Sequence, residues 1–445
     1  MTLPPGLDDL LTLLRFPSVS TNPENRADVR ACATWLVNKL GAIGLTAAMH
    51  QTPGHPVVLA RNAHLPGRRT VMIYGHYDVQ PPEPLEEWKS PAFEPTLRDG
   101  RIFCRGATDN KGQLMAHLRG IEETMAALGD LPVNLIFLIE GEEEIGSPNL
   151  KPFLESHRED LKCDMVAISD TGMVAPGVGT FTYGLRGIAC MEVRVKGPSI
   201  DLHSGIFGGA VMNPNTAVAR LAATLHDSEG RVAIAGFYDD VRPLQEWERA
   251  AWQALGDSSA ETLQLTGSPE LFGEPGYTDM ERRWGRPTAE INGIGGGYQG
   301  AGSKTVIPRE AMMKLSFRLV PGQEPEKIMA QVEAHLHAHC PKGVKLEIHG
   351  GHAGMPYLMD PHSDFGTAAQ RALTTTFGGH IALIREGGSI PIVQAFKDVL
   401  GVETLLLGLA LPDCQAHAPN ENFPVASYEA GVKLNKHLLV ELGAL

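Results

Sequence analysis

Three short apolar runs, each closed by a polar cluster, constrain this chain more than any other feature. Thr70 to Tyr74 ends at Gly75-His76-Tyr77-Asp78, Val133 to Ile139 at an acidic stretch opening with Glu140-Gly141, and Met165 to Ile168 at Ser169-Asp170. Runs of this length, rich in β-branched and apolar residues, read as buried strands. Between the first two, Leu114, Leu118, Ile121 and Met125 recur at helical spacing and predict a helix from about Gln113 to Leu128. Strand, helix, strand implies a largely parallel sheet with right-handed crossovers. Such sheets gather their sites at the carboxyl ends of strands, where these polar clusters fall.

From about Tyr183 the pattern changes. Ile188 to Val195 and Lys314 to Val320 alternate as half-buried strands, and helices are predicted from Asn213-Pro214 to about Leu225 and over Pro325 to Ala338. Residues 226–300 look irregular, rich in Gly, Pro and charge. After about Ala353 the first pattern returns, with helices over Ser363 to Thr376 and Ala426 to Leu442 and a buried strand over Thr404 to Leu409. The expected fold is α/β. A mostly parallel-sheet catalytic domain, residues 1–183 and 356–445, is interrupted by a smaller α/β insert, residues 184–355, with helices on one side of its sheet.

The charge balance narrows the partners. Lys and Arg number 38 against 52 Asp and Glu, so 38 − 52 = −14. An acidic chain of this kind argues against nucleic acid and anionic membranes as main partners. No apolar run reaches the roughly 18 residues that span a bilayer, and the first residues read as a helix rather than a secretory signal. Six cysteines are scattered without a CxxC pair, which suits reduced thiols in a cytoplasm. Any metal must then be held by imidazole and carboxylate.

His76, Asp109, Glu144, Asp170 and His417 offer such a set, at or near predicted strand ends. If Asp109 bridges, each of two zinc ions has one His, one terminal carboxylate and the shared Asp. Asp78, two residues beyond His76 on an extended segment, can hydrogen-bond its second ring nitrogen. Of the adjacent Glu143 and Glu144, one can bind metal while the other acts as general base. Each residue alone has an ordinary explanation. Asp109 before a helix is by default a cap, Asp170 a turn residue, the Glu142–Glu144 run a solvated loop, and His417 incidental. Their conjunction at successive strand ends carries the argument. His335, His337 and His339, two apart on a predicted helix, read as surface residues, and His349 and His352 receive no role.

Taken together, GHYDVQP, RGATDNKG, EGEEEIGS and DCQAHAPNE resemble the dinuclear zinc peptidases: cytosolic dipeptidases of the carnosinase type, glutamate carboxypeptidases and succinyl-diaminopimelate desuccinylases. The resemblance runs nearly end to end and is nearest the dipeptidase branch. It implies one zinc on His76 and Asp170, the other on Glu144 and His417, with Asp109 bridging, and Mn²⁺ or Co²⁺ as possible substitutes. It implies Glu143 as general base, Asp78 as the orienting aspartate, and a cis peptide at Asp109-Asn110. It implies that the insert is a lid that mediates dimerisation, from which His203 reaches a second subunit's active site in a homodimer. Thr305 and Arg318 would hold the substrate carboxylate, and the loop with Arg385, Gly388 and Ser389 would bind substrate. The implied activity is hydrolysis of dipeptides or small amino-acid conjugates in the cytoplasm. An N-acyl amino-acid deacylase or desuccinylase with the same centre stays open, as does a non-catalytic binding protein on the same scaffold.

Overall fold

The computed structural model describes residues 4–379, 381–388 and 390–445. It divides into two compact units, Met1–Tyr183 with Met359–Ile384 and Pro391–Leu445, and Gly184–Leu358 with Arg385–Ile390. The short loop 385–390, expected in the catalytic segment, groups with the insert.

In chain order the first unit opens with α1 (Leu7–Leu14), α2 (Arg26–Ala42), β1 (Thr46–His50), β2 (Val57–Arg61) and β3 (Thr70–His76). It continues with β4 (Thr96–Arg98), β5 (Arg101–Phe103), α3 (Lys111–Leu128), β6 (Asn134–Glu140), α4 (Leu150–Ser156), β7 (Met165–Ile168) and β8 (Gly179–Leu185). The second unit holds β9 (Gly187–Lys196), β10 (Leu202–His203), α5 (Ser204–Phe207), α6 (Pro214–Ala223), α7 (Glu246–Ala254), α8 (Ser259–Thr266) and α9 (Asp279–Gly285). It is completed by β11 (Thr288–Gly296), β12 (Val306–Ile307), β13 (Glu310–Leu319), α10 (Pro325–His339), β14 (Lys345–Gly354) and β15 (Tyr357–Leu358). The chain ends with α11 (Asp364–Phe377), β16 (Ile381–Glu386), α12 (Pro391–Leu400), β17 (Thr404–Leu406), β18 (Asn422–Pro424) and α13 (Val425–Gly443).

The main sheet runs β1-β2-β6-β3-β7-β17-β8. Its centre, β6, β3, β7 and β17, is parallel, as the apolar runs imply. Every residue of β6, β7 and β17 is buried, the pattern of strands covered on both faces. One helix set, α1, α3, α11 and α13, packs together, as does α4 with α12, and both α11 and α12 reach β17. Register decides the site. His76 pairs with Glu140 and Tyr74 with Ile168, so β3, β6 and β7 end side by side. The β17 strand is shorter than the expected Thr404–Leu409.

The second unit is built on the antiparallel sheet β11-β13-β9-β14. Alternate residues of β9 are buried, and Val193 and Val195 join Met313, Leu315 and Phe317 of β13 in a core with Val218 and Leu221 of α6 and Val332 and Leu336 of α10. The segment read as irregular contains α7, α8 and α9, the last opened by a capping box of Thr278 and Glu281. His335 is not a surface residue. It is 9% exposed, hydrogen-bonds Thr224 and packs on His339, because residues four apart share a helix face. His337, half a turn away, is exposed.

A candidate dinuclear metal centre

His76, the last residue of β3, is fully buried. Its Nδ1 lies 3.1 Å from the Asp78 carbonyl oxygen and 3.3 Å from its carboxylate. That fixes the ring and turns Nε2 to the centre, 3.1 Å from Asp109 Oδ1 and 3.6 Å from Asp170 Oδ2. The other oxygen of Asp109 is 2.8 Å from Nε2 of His417, which is 3.4 Å from Glu144 Oε2. Two trios of ligand atoms result, His76–Asp109–Asp170 and Asp109–Glu144–His417, the atoms of each within 4.8 Å of one another and Asp109 common to both.

Buried polar groups hold these side chains. Asp78 accepts the backbone N–H groups of Glu143 and Glu144 at 3.2 and 3.1 Å, so one carboxylate orients His76 and the acidic turn together. Asn110 stands at the N-terminus of α3 but does not cap it. Its amide instead donates to Ser169 O at 2.7 Å and Asp170 Oδ1 at 2.8 Å. The Asp109–Asn110 peptide is cis. Gln80 donates to Glu144 Oε2 at 2.8 Å.

The three neighbouring glutamates divide their work. Glu142 accepts from His55 N at 2.8 Å and from Asn149 Nδ2, and a Cβ on Gly54 would sit 1.7 Å from its Oε1. Glu142 is thus committed to the loop, its carboxylate packed against the bare Cα of Gly54. The Glu143 carboxylate accepts no hydrogen bond among the described residues. Burial raises its pKa well above the usual carboxylate range, and Asp170, Asp109 and Glu144 add to the rise against His76.

Electrostatics show what the centre lacks. Burial opposes charging His76, yet Asp109, Asp170 and Asp78 outweigh it and raise its pKa well above normal. Asp109 and Glu144 push His417 up to about 10. Burial raises Asp170 and Glu144. Asp109, despite burial, is held very low by His417 and His76. The carboxylates thus call for positive charge at two points on either side of Asp109, and two dications supply it more fully than two protons. Nitrogen and oxygen donors without thiolate suit zinc, manganese or cobalt.

The other residues singled out from the sequence lie in the second unit. The β10–β12 ladder pairs His203 with Val306 and so sets His203 beside Thr305, whose carbonyl accepts Ser204 N. His203 is exposed, and its Nδ1 accepts Gly205 N at 3.0 Å. Arg318 lies half-buried on β13, opposite Ile188 and Thr288. Arg385 is buried instead of open to a ligand. It pairs with Glu248 of α7 and lies over Trp252. Gly388 is exposed, and Ser389 lies outside the described residues.

Residues 72–441 match the model of peptidase family M20/M25/M40. The Cys-Gly metallodipeptidase DUG1 of Candida albicans is 34% identical over 97% of this chain and 93% of its own length. This chain belongs to peptidase family M20/M25/M40. The human Beta-Ala-His dipeptidase is 33% identical over 88% of this chain and 78% of its own. The crystal structure of an M20 family metallo-carboxypeptidase, Sso-CP2 from Sulfolobus solfataricus, superposes with a TM-score of 0.87 at 33% identity, covering 100% of both chains. Membership agrees with the resemblance read from the motifs, and two of the three relatives named are dipeptidases while the third is a metallo-carboxypeptidase. Within the M20 motifs, sequence reasoning passed over Gln80, Asn110 and Glu421. All stand in the quoted motifs, within four residues of a ligand. An amide or acid flanking a ligand was the available signal. No helix among the described residues is long and apolar enough to cross a membrane.

Proposed function

We propose that this M20 peptidase hydrolyses dipeptides, and that two zinc ions would be held at this centre, one by His76 and Asp170, one by Glu144 and His417, with Asp109 shared between them. The observation that carries the reading is the split of the Asp109 carboxylate, Oδ1 toward His76 and Oδ2 toward His417. Zinc held there would supply Lewis acidity toward a carbonyl and would lower the pKa of water. Glu143 takes a proton from the water that attacks the scissile carbonyl and delivers it to the leaving amine. Its carboxylate, which accepts no hydrogen bond among the described residues, suits a group that must both accept and return a proton. Asp78 keeps His76 and the Glu143-Glu144 turn in register.

Thr305 and Arg318 bind the substrate carboxylate, Arg318 by a bidentate pair. Gly388 is proposed to present backbone to the peptide. Arg385, being engaged with Glu248, serves by anchoring that loop. The partner subunit's His203 stabilises the oxyanion. Exposed apolar side chains flank His203 in the chain, Ile200 at 63%, Ile206 at 69% and Phe207 at 40% exposure, and suit burial against a second copy. Six free thiols suit a reducing cytoplasm. Dipeptides are the substrates named for both relatives above, which favours them over acylated amino acids.

The test is a panel holding Cys-Gly, β-Ala-His, other dipeptides, and N-succinyl and N-acetyl amino acids, assayed before chelation, after it, and after Zn²⁺ or Mn²⁺ is returned. Cleavage of dipeptides that vanishes on chelation and returns with metal is expected. Turnover of acylated amino acids alone moves the chain to the deacylases, and turnover of nothing leaves a binding protein.

A further inference from the structure

The loop that delivers His417 is pinned on its outer side, where Arg101 pairs with Asp413 and Asn420 donates to Glu87 O and accepts from Lys89 N. Gln415, His417 and Asn420 all have positive φ, a conformation these residues adopt uncommonly, and the His417 side chain is 56% exposed. Four residues on, the Glu421 side chain is fully buried. Its Oε1 accepts the backbone N–H of Thr108 at 2.8 Å and of Asp109 at 3.0 Å. Its Oε2 accepts Gly106 N at 2.8 Å and Arg105 Nη1 at 2.9 Å. Gly106 has φ +83°, and a Cβ there would lie 2.7 Å from Val79 Cγ1, so the curl of backbone round this carboxylate depends on glycine.

We propose that Glu421, with Arg105 as its counter-charge, is the positioning residue that fixes Asp109 relative to His417. The inference rests on the two-ion reading above. One buried carboxylate grips the main chain of the shared ligand, while its own main chain leads directly to His417. The joint is reinforced by Thr108 Oγ1 donating to Asn422 O at 2.6 Å and by the pairing of β18 with β5. Among the described residues, nothing equivalent ties His417 to the His76–Asp170 side, which Asp78 and Asn110 hold independently. Disturbing Glu421 therefore acts on one ion more than the other. A residue that merely supported the fold would weaken both alike.

The experiment is calorimetric titration of the metal-free chain with Zn²⁺, followed in parallel by the visible absorption of Co²⁺. The wild type should take up two ions. Glu421→Gln turns an amide N–H toward donors and should weaken one of the two binding events by about 10- to 100-fold, the range typical of groups that orient metal ligands, and the other, reached through Asp109 alone, by less. Arg105→Lys, which keeps the charge and the backbone donors, should weaken the same event by less, and decides the matter if Glu421→Gln does not fold. Both events unchanged, or both weakened equally, overturns the clamp. A wild type that binds only one ion overturns the two-ion reading itself and the clamp with it, a result distinct from two ions in the wild type and no change in either variant.

Discussion

The metal-facing loops of the first unit and the candidate substrate elements of the second are built by opposite means. In the first, buried polar groups grip the candidate ligands. Asp78 holds His76, Asn110 holds Asp170, Gln80 holds Glu144, and Glu421 holds the backbone of Asp109. In the second, His203 sits exposed on a two-residue strand and bonds its own Gly205, and Thr305 and Gly388 are open to solvent. Ligands that share cations must hold their places to a fraction of an ångström, so their supports are buried and redundant. Groups that meet a substrate or a second subunit tolerate adjustment and stay at the surface.

That contrast can be broken by experiment. The largest effect is expected for Glu143→Ala, whose kcat should fall by roughly 100- to 10,000-fold while two ions remain bound. Metal-replete protein with near-normal turnover would remove Glu143 as the base. Next is His203→Ala, where kcat should fall by about 100- to 1,000-fold, as for loss of an oxyanion donor, with metal content untouched. An unchanged rate, or lost metal, would erase the division between the two regions. Asn110→Ala should cost about 10- to 100-fold in affinity for one ion, measured by competition with a chelator. An unaltered affinity would show that its hold on Asp170 is dispensable.

The smallest effect concerns stability alone. His117 lies inside α3 with neither ring nitrogen hydrogen-bonded, and burial lowers its pKa to about 3. An unfolded histidine takes up a proton near pH 6.5. The stability contributed by keeping His117 neutral is therefore whole above about pH 6.5 and is lost as pH falls from there toward 3. At pH 5 the loss is about 2 kcal/mol. Urea unfolding of the chelated chain at about pH 7.5 and about pH 5, on either side of the unfolded histidine's titration, should show His117→Leu freed of that loss. Equal acid sensitivity in the variant would place it in other groups.

Much of this was legible in the sequence, for reasons that follow from burial. Strand cores such as Leu135–Ile139 and Met165–Ile168 are buried on both sides, so their composition announces them, and the residues that follow are delivered to one edge. Asp109 and His417 follow from motif and family pattern. What pattern could not supply was direction. Nothing in the spacing says that Asn110 forgoes capping α3 to reach Asp170, or that Glu142 turns back to His55 while Glu143 stays free. The helices α7 and α9 were hidden because they meet through Trp252 and Trp284 rather than along a long periodic stripe, and α8 because it buries no side chain. Arg385 misled for a related reason, since its buried partner lies on α7, an element the sequence did not reveal.

The first unit is drawn from three stretches of chain, and this orders events during synthesis. His76, Asp109, Glu144 and Asp170 leave the ribosome before any of the insert, but His417, Glu421 and the helix α13 follow all of it. A nascent chain thus carries three acids and one imidazole with no means of completing the trio that includes His417. On the two-ion reading proposed above, the second trio is completed only when the segment carrying His417 emerges.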